Sequence, residues 1–136
     1  MNETFDLKTK VLVTDDMLTM RSLVQKLLQK LGYSDVIIAS NGAEAWKLLS
    51  EPGSQFGLVI SDWNMPEMNG LELLKNVRAD ARLGKLPFIM LTSETEMSVV
   101  QEAIAAGLDG FIPKPFSLEI ISANLKLTYK KVADRK

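Results

Sequence analysis

Apolar residues in this chain follow two rhythms that alternate from end to end. Short unbroken runs, "VLVT" at 11 to 14, "VIIA" at 36 to 39, "LVIS" at 58 to 61, "FIMLT" at 88 to 92 and "GFI" at 110 to 112, have the length of strands rather than helices. Between the runs, apolar positions recur every three or four residues. Met20, Leu23, Val24, Leu27, Leu28 and Leu31 put one apolar face on a helix that Gly32 ends. Asn41 with Glu44, Asn69 with Glu72 and Ser93 with Glu96 have the spacing of capping boxes and open three more helices. The first of these runs through Ala45, Leu48 and Leu49 to the Pro52-Gly53 breaker, the second through Leu71, Leu74 and Val77, and the third through Val99, Val100, Ala103 and Ile104 to Gly107. Ser117 is placed to cap a last helix. Continuous apolar strands are buried on both faces, so the pattern predicts one α/β unit: a doubly wound five-stranded parallel sheet with five helices on its two sides.

The polar residues that break this rhythm gather at one end of the strands. Asp15 and Asp16 follow the first run, Asp62 the third, Thr92 and Ser93 stand at the end of the fourth, and Lys114 follows the fifth. In a doubly wound sheet that edge borders the functional crevice. A lone acid there is an ordinary turn or cap residue, whereas three on one edge repel and need a cation. Oxygen ligands suit a hard ion such as Mg²⁺, and the chain has no His and no Cys to offer zinc. A carboxylate in that setting can attack phosphorus and form an aspartyl phosphate, while the cation and a lysine neutralise charge on the phosphoryl oxygens.

Composition narrows this picture without redirecting it. A length of 136 residues, 46% hydrophobic and 24% charged, suits one compact domain. The formal net charge of -1 gives no overall attraction to nucleic acid or anionic membrane. The basic end "KLTYKKVADRK" places Lys126, Lys130 and Lys131 toward the end of the last helix, where cations complement the helix dipole. The opening "MNETFDLKTK" lacks a signal pattern, and no apolar run approaches a membrane span. A cytoplasmic monomer with no membrane and no nucleic-acid partner is the expectation.

The stretches "VTDDM", "SDWNMP", "LTSE" and "KPF", in this order and at these strand ends, resemble the receiver domain of two-component response regulators over nearly the entire chain. On that resemblance residues 1–136 are a single receiver domain with a core of residues 8–133 and no output domain. "SDWNMP", "MNGLELLKNVRAD" and "KPF" are most similar to the stand-alone, CheY-like chemotaxis type. The resemblance implies a flavodoxin-like sheet in the order 2-1-3-4-5, the order known for CheY. It implies that Asp62 is the phosphoacceptor and that Asp15, Asp16, Asp62 and the main-chain carbonyl of Asn64 hold Mg²⁺. Lys114 would pair with the phosphate and precede a cis proline, and Thr92 would engage the phosphoryl group after transfer, with Phe111 as the aromatic that follows it. Asn64 and Glu94 would tune the loss of the phosphoryl group.

The implied role is signalling rather than turnover catalysis. A histidine kinase supplies the phosphoryl group, the surface of the fourth helix, fifth strand and fifth helix changes, and the domain dephosphorylates itself. Three residues depart from the chemotaxis pattern: Phe111 lacks the hydroxyl of the usual tyrosine, and Glu96 and Met97 stand where motor-binding members carry lysines. These departures leave the output open between a flagellar motor switch protein, a different partner and a phosphate-sink role. Two other classes fit less well. A flavodoxin-like FMN carrier shares the layer order, but "TDDMLTMR" puts two acids where a phosphate would approach; an aspartyl phosphatase needs a second acid where "DWN" has Asn64. Trp63, next to the acceptor, is expected near the bound ion.

Overall fold

The computed structural model describes residues 4–93 and 97–134, and strand and helix alternate throughout. The elements are β1 (Val11–Thr14), α1 (Leu18–Lys30), β2 (Val36–Ala39), α2 (Gly42–Ser50), β3 (Leu58–Asp62), α3 (Gly70–Ala79), β4 (Phe88–Thr92), α4 (Met97–Ala105), β5 (Gly110–Pro113) and α5 (Leu118–Ala133). The strands form one parallel sheet in the order β2-β1-β3-β4-β5, as the resemblance implied. Their alternation divides the core in two. Val11, Val13, Leu58, Ile60, Ile89, Leu91 and Ile112 meet Val24 and Leu28 of α1 and Ile121 and Leu125 of α5. Leu12, Val59, Phe88 and Met90 meet Leu49 of α2, Leu74 and Val77 of α3 and Ala103 of α4. Each of these Val, Leu, Ile, Phe and Met side chains contributes about 1.5–3 kcal/mol of burial. A one-residue slip of a strand would exchange its two faces, so these two sets of partners specify the register.

That register carries the strand ends to a common edge. Thr14 pairs with Ala39 on one side and with Ser61 on the other, Asp62 with Leu91, and Thr92 with Pro113. β3 runs one residue beyond its apolar run and takes in Asp62, so this acid sits on sheet backbone rather than on loop. At the opposite edge Arg78 of α3 pairs with the buried Asp109 at 2.7 Å and donates to the carbonyls of Gly84, Leu86 and Gly107. This clamp ties α3 to the segments that enter β4 and β5.

The helix ends follow the expected signals with two differences. Asn69 and Glu72 form a complete capping box on α3, Ser117 accepts from the Ile120 N–H, and Gly32 ends α1 with φ of 107°. On α2 only half the box forms. Asn41 accepts from the Glu44 N–H, but the Glu44 carboxylate turns to Ser40, accepting from its Oγ at 2.6 Å and its N–H at 3.3 Å. On α1, Leu23 stands 41% exposed although its spacing matches the buried stripe. The stripe of six apolar positions is wider than the line along which α1 meets the sheet, so Leu23 falls on its flank. The cap expected from Ser93 and Glu96 depends on Glu96, which lies outside the described residues. Among the described residues no helix is long and apolar enough to cross a membrane.

Candidate functional site

Because Thr14 and Ser61 are paired across β1 and β3, the next residues, Asp15 and Asp62, emerge side by side at the carboxyl edge. Asp15 is fully buried; its Oδ1 accepts the Met17 N–H at 2.9 Å. Its Oδ2 is buried with no hydrogen-bond partner, the only such side-chain atom among the described residues. Burial pushes the Asp15 carboxyl up from an ordinary 3.8 to about 6; the charges of Asp62 and Asp16 act in the same direction, and the Met17 N–H and Lys114 oppose it. Asp16, its chain neighbour, is exposed. One oxygen from each of Asp15, Asp16 and Asp62 lies within 4.8 Å of the others.

Lys114 supplies the positive side of the site. Its Nζ lies 2.8 Å from Asp62 Oδ1 and 3.9 Å from Asp15 Oδ2. Its backbone N–H donates to the Thr92 carbonyl at 2.6 Å, and the Lys114-Pro115 bond is cis, as the resemblance implied. Asp16, Met17, Asp62, Asn64, Met65, Pro66 and Lys114 line an open cavity of about 520 Å³. The donor set is oxygen only, and the unpartnered Asp15 Oδ2 is an atom whose burial a bound cation would compensate. The residues therefore fit a hard divalent ion such as Mg²⁺.

The floor of the cavity is shaped by the loop between β3 and α3. The Gly70 N–H donates to the Trp63 carbonyl at 2.8 Å, and a Cβ at Gly70 would run into the Asp62 carbonyl, so only glycine permits this return. Met65 is buried with its Sδ 3.4 Å from Thr14 Oγ1. Glu67 holds φ of 68°, a conformation that residues with a Cβ rarely adopt, next to the cavity-lining Pro66.

The remaining expected residues fall in different places. Thr92 is buried; its hydroxyl donates to the Ser93 carbonyl at 3.2 Å, and it does not line the acid cavity. Phe111 is half-buried and lines a second cavity of about 260 Å³ with Ile104, Leu108 and Leu127 among its neighbours. Asn64 is exposed on the rim. Trp63 follows Asp62 directly in the chain, and its ring packs against the core on the side of α2 to α4, because successive side chains of an extended segment face opposite ways. Glu94 and Glu96 lie outside the described residues, and Met97 is the first residue of α4.

Two participants escaped the sequence reading. Met17 gives its N–H to Asp15 and its side chain to the rim, and Arg21 donates through Nη1 to the Asp15 carbonyl at 3.0 Å. An arginine one helical turn into the helix that follows a double acid was the available signal. The same guanidinium acts on α2: Glu44 is held below its usual range by the Ser40 hydroxyl first, and by the fields of Arg21 and Lys47.

Comparison with known proteins gives a consistent set of likenesses. The family model described as the response regulator receiver domain matches residues 11–126. The chain is 43% identical over 118 residues to the chemotaxis protein CheY1 of Helicobacter pylori, covering 87% of this chain and 94% of that protein. It is 44% identical over 117 residues to a chemotaxis protein CheY homolog of Campylobacter jejuni, covering 86% and 89%. The solved structure of the chemotaxis response regulator CheY4 of Vibrio cholerae superimposes with a TM-score of 0.80 at 37% identity, covering 89% of this chain and 98% of that one.

Proposed function

The chain belongs to the response regulator receiver domain family, and from that premise we propose that it is a CheY-type chemotaxis receiver that takes a phosphoryl group from a histidine kinase onto Asp62. The observation that carries this reading is the cluster of Asp15, Asp16 and Asp62, with Asp16, Asp62 and Lys114 lining one open cavity, Asp15 buried behind it and the lysine 2.8 Å from the acceptor carboxylate. The receiver core is taken as residues 8–133.

In the transfer, an oxygen of the Asp62 carboxylate attacks the phosphorus of phosphohistidine. The P–O bond forms as the P–N bond breaks, and the electron pair leaves on the imidazole nitrogen, which takes up a proton. Asp62 is suited to this because it ends a buried strand and its carboxylate is held in place by Lys114. Asp15, Asp16, Asp62 and the Asn64 carbonyl would hold Mg²⁺, which would supply neutralisation of the phosphoryl oxygens. Lys114 follows the charge, leaving the carboxylate for the dianionic phosphoryl group. Thr92 can then exchange its 3.2 Å bond to the Ser93 carbonyl for a charge-assisted bond to a phosphoryl oxygen. That exchange is the differential contact a switch requires. Its effect would pass to the start of α4 and, across β4 and β5, to Phe111, reshaping the cavity that Phe111 lines with α4 and α5. Phe111 takes part by ring packing alone, having no hydroxyl. Attack of water on the acyl phosphate restores the Asp62 carboxylate and releases inorganic phosphate, a step to which Asn64 and Glu94 set access.

Incubation with Mg²⁺ and acetyl phosphate tests the reading. Intact mass should show one added phosphoryl group, mapped to Asp62, and Asp62→Ala should show none. An unlabelled wild type in Mg²⁺, or undiminished labelling of the variant, overturns it.

A further inference from the structure

One guanidinium beside the acid cavity is unused by the transfer chemistry. Arg21 is half-buried one turn into α1, and its Nη1 donates to the Asp15 carbonyl at 3.0 Å. That carbonyl belongs to the peptide joining Asp15 to Asp16, so the contact restrains the unit from which both carboxylates extend. The other handles on Asp15 are already taken: its N–H bonds the Ala39 carbonyl at 3.3 Å, and its Oδ1 accepts from Met17 at 2.9 Å. The Arg21 bond is therefore the restraint on the carbonyl side, ahead of the exposed Asp16. On its other flank Arg21 acts electrostatically on Glu44 of α2, which Ser40 holds.

Two opposed effects on a divalent cation follow from this position. The positive charge of Arg21 repels the ion, and the hydrogen bond pre-orders the acids that would receive it. The repulsion is weakened by solvent screening at a half-buried group. Groups that orient metal ligands control affinity by about 10–100-fold, so the ordering effect should prevail. We propose that Arg21 is a positioning residue for the cation site, holding the Asp15-Asp16 peptide so that both carboxylates serve one ion. This rests on the reading of the cavity as a divalent-cation site.

The sign of the response tests it. Isothermal titration with MgCl₂ is run on the wild type, Arg21→Met and Arg21→Lys, with metal-free thermal unfolding of each. Positioning predicts that Arg21→Met, which keeps the apolar stem but neither charge nor donor, binds Mg²⁺ about tenfold more weakly. Its metal-free unfolding midpoint should stay close to that of the wild type. Equal or tighter Mg²⁺ binding by Arg21→Met shows that only the repulsive field was present and overturns the proposal. Should Arg21→Met fail to fold, Arg21→Lys decides: it keeps the charge without the planar fork, so weaker binding supports positioning and unchanged affinity overturns it. A wild type that takes up no Mg²⁺ overturns the cation-site reading itself, and the role of Arg21 with it.

Discussion

Replacing Asp15 by Asn should make the metal-free protein more stable even though it removes a candidate cation ligand. The carboxyl is fully buried, one oxygen lacks a hydrogen-bond partner, and its pKa is pushed from 3.8 to about 6. At about 1.36 kcal/mol per unit, that displacement corresponds to about 3 kcal/mol. The sign follows from which state holds the proton more tightly. With the folded pKa raised, the favourable contribution of Asp15 is complete below about 3.8 and is lost as pH rises through about 6. Above that pH the folded protein carries a charge it would hold more easily when unfolded. Asn keeps an oxygen to accept the Met17 N–H and has no charge to bury. Asp15→Asn should therefore exceed the wild type by up to about 3 kcal/mol at pH 8 in EDTA, roughly 10 °C in midpoint, and converge with it near pH 4. Mg²⁺ at a hundred times its Kd adds about 2.7 kcal/mol to a protein that binds it, so saturating Mg²⁺ should nearly close the gap by raising the wild type. Thermal and urea unfolding followed by circular dichroism from pH 4 to 8, with EDTA or Mg²⁺, measures all of this. A variant no more stable than the wild type at pH 8 without metal, or a difference that persists unchanged at pH 4, refutes the reasoning.

Two further outcomes concern regions at opposite edges of the sheet. In a Trp46→Phe background, Mg²⁺ should alter the emission of Trp63 through its bond to the Asp62 residue; an unchanged spectrum at saturating Mg²⁺ would separate this indole from the site. Arg78→Ala should cost about 3–5 kcal/mol in urea unfolding, because it removes the guanidinium that faces the Asp109 carboxylate at 2.7 Å, a side chain only 2% exposed. A loss below about 1 kcal/mol would show that the Phe88 N–H and solvent suffice for Asp109.

Much of the site could be read before the fold was known, and the reasons are local. Asp62 stood out because a carboxylate ended an apolar run, and Asp15 and Asp16 because a double acid followed another. Arg21 did not stand out, since an arginine near the start of an amphipathic helix looks like any solvated residue until its partner is known. Glu44 was placed in the correct turn, but its choice of Ser40 over Asn41 depended on where the end of β2 lies. Adjacency in the chain put Trp63 next to the acceptor, but that its ring packs against the core depended on the alternation of side chains along the extended segment.

By itself the sequence determined the order of the elements, the parallel doubly wound class and the edge on which the polar residues collect. These follow from short unbroken apolar runs and from recurrences of three to four residues, and both are properties of neighbours along the chain. Only the tertiary structure decided that Asp15 is buried with an oxygen unpartnered while Asp16, the same residue type one position on, faces solvent. It also decided that Lys114, 52 residues from Asp62 along the chain, reaches the acceptor at 2.8 Å. Desolvation and Coulomb energy depend on distances between segments far apart in the chain, and those distances exist only once the sheet has set its register.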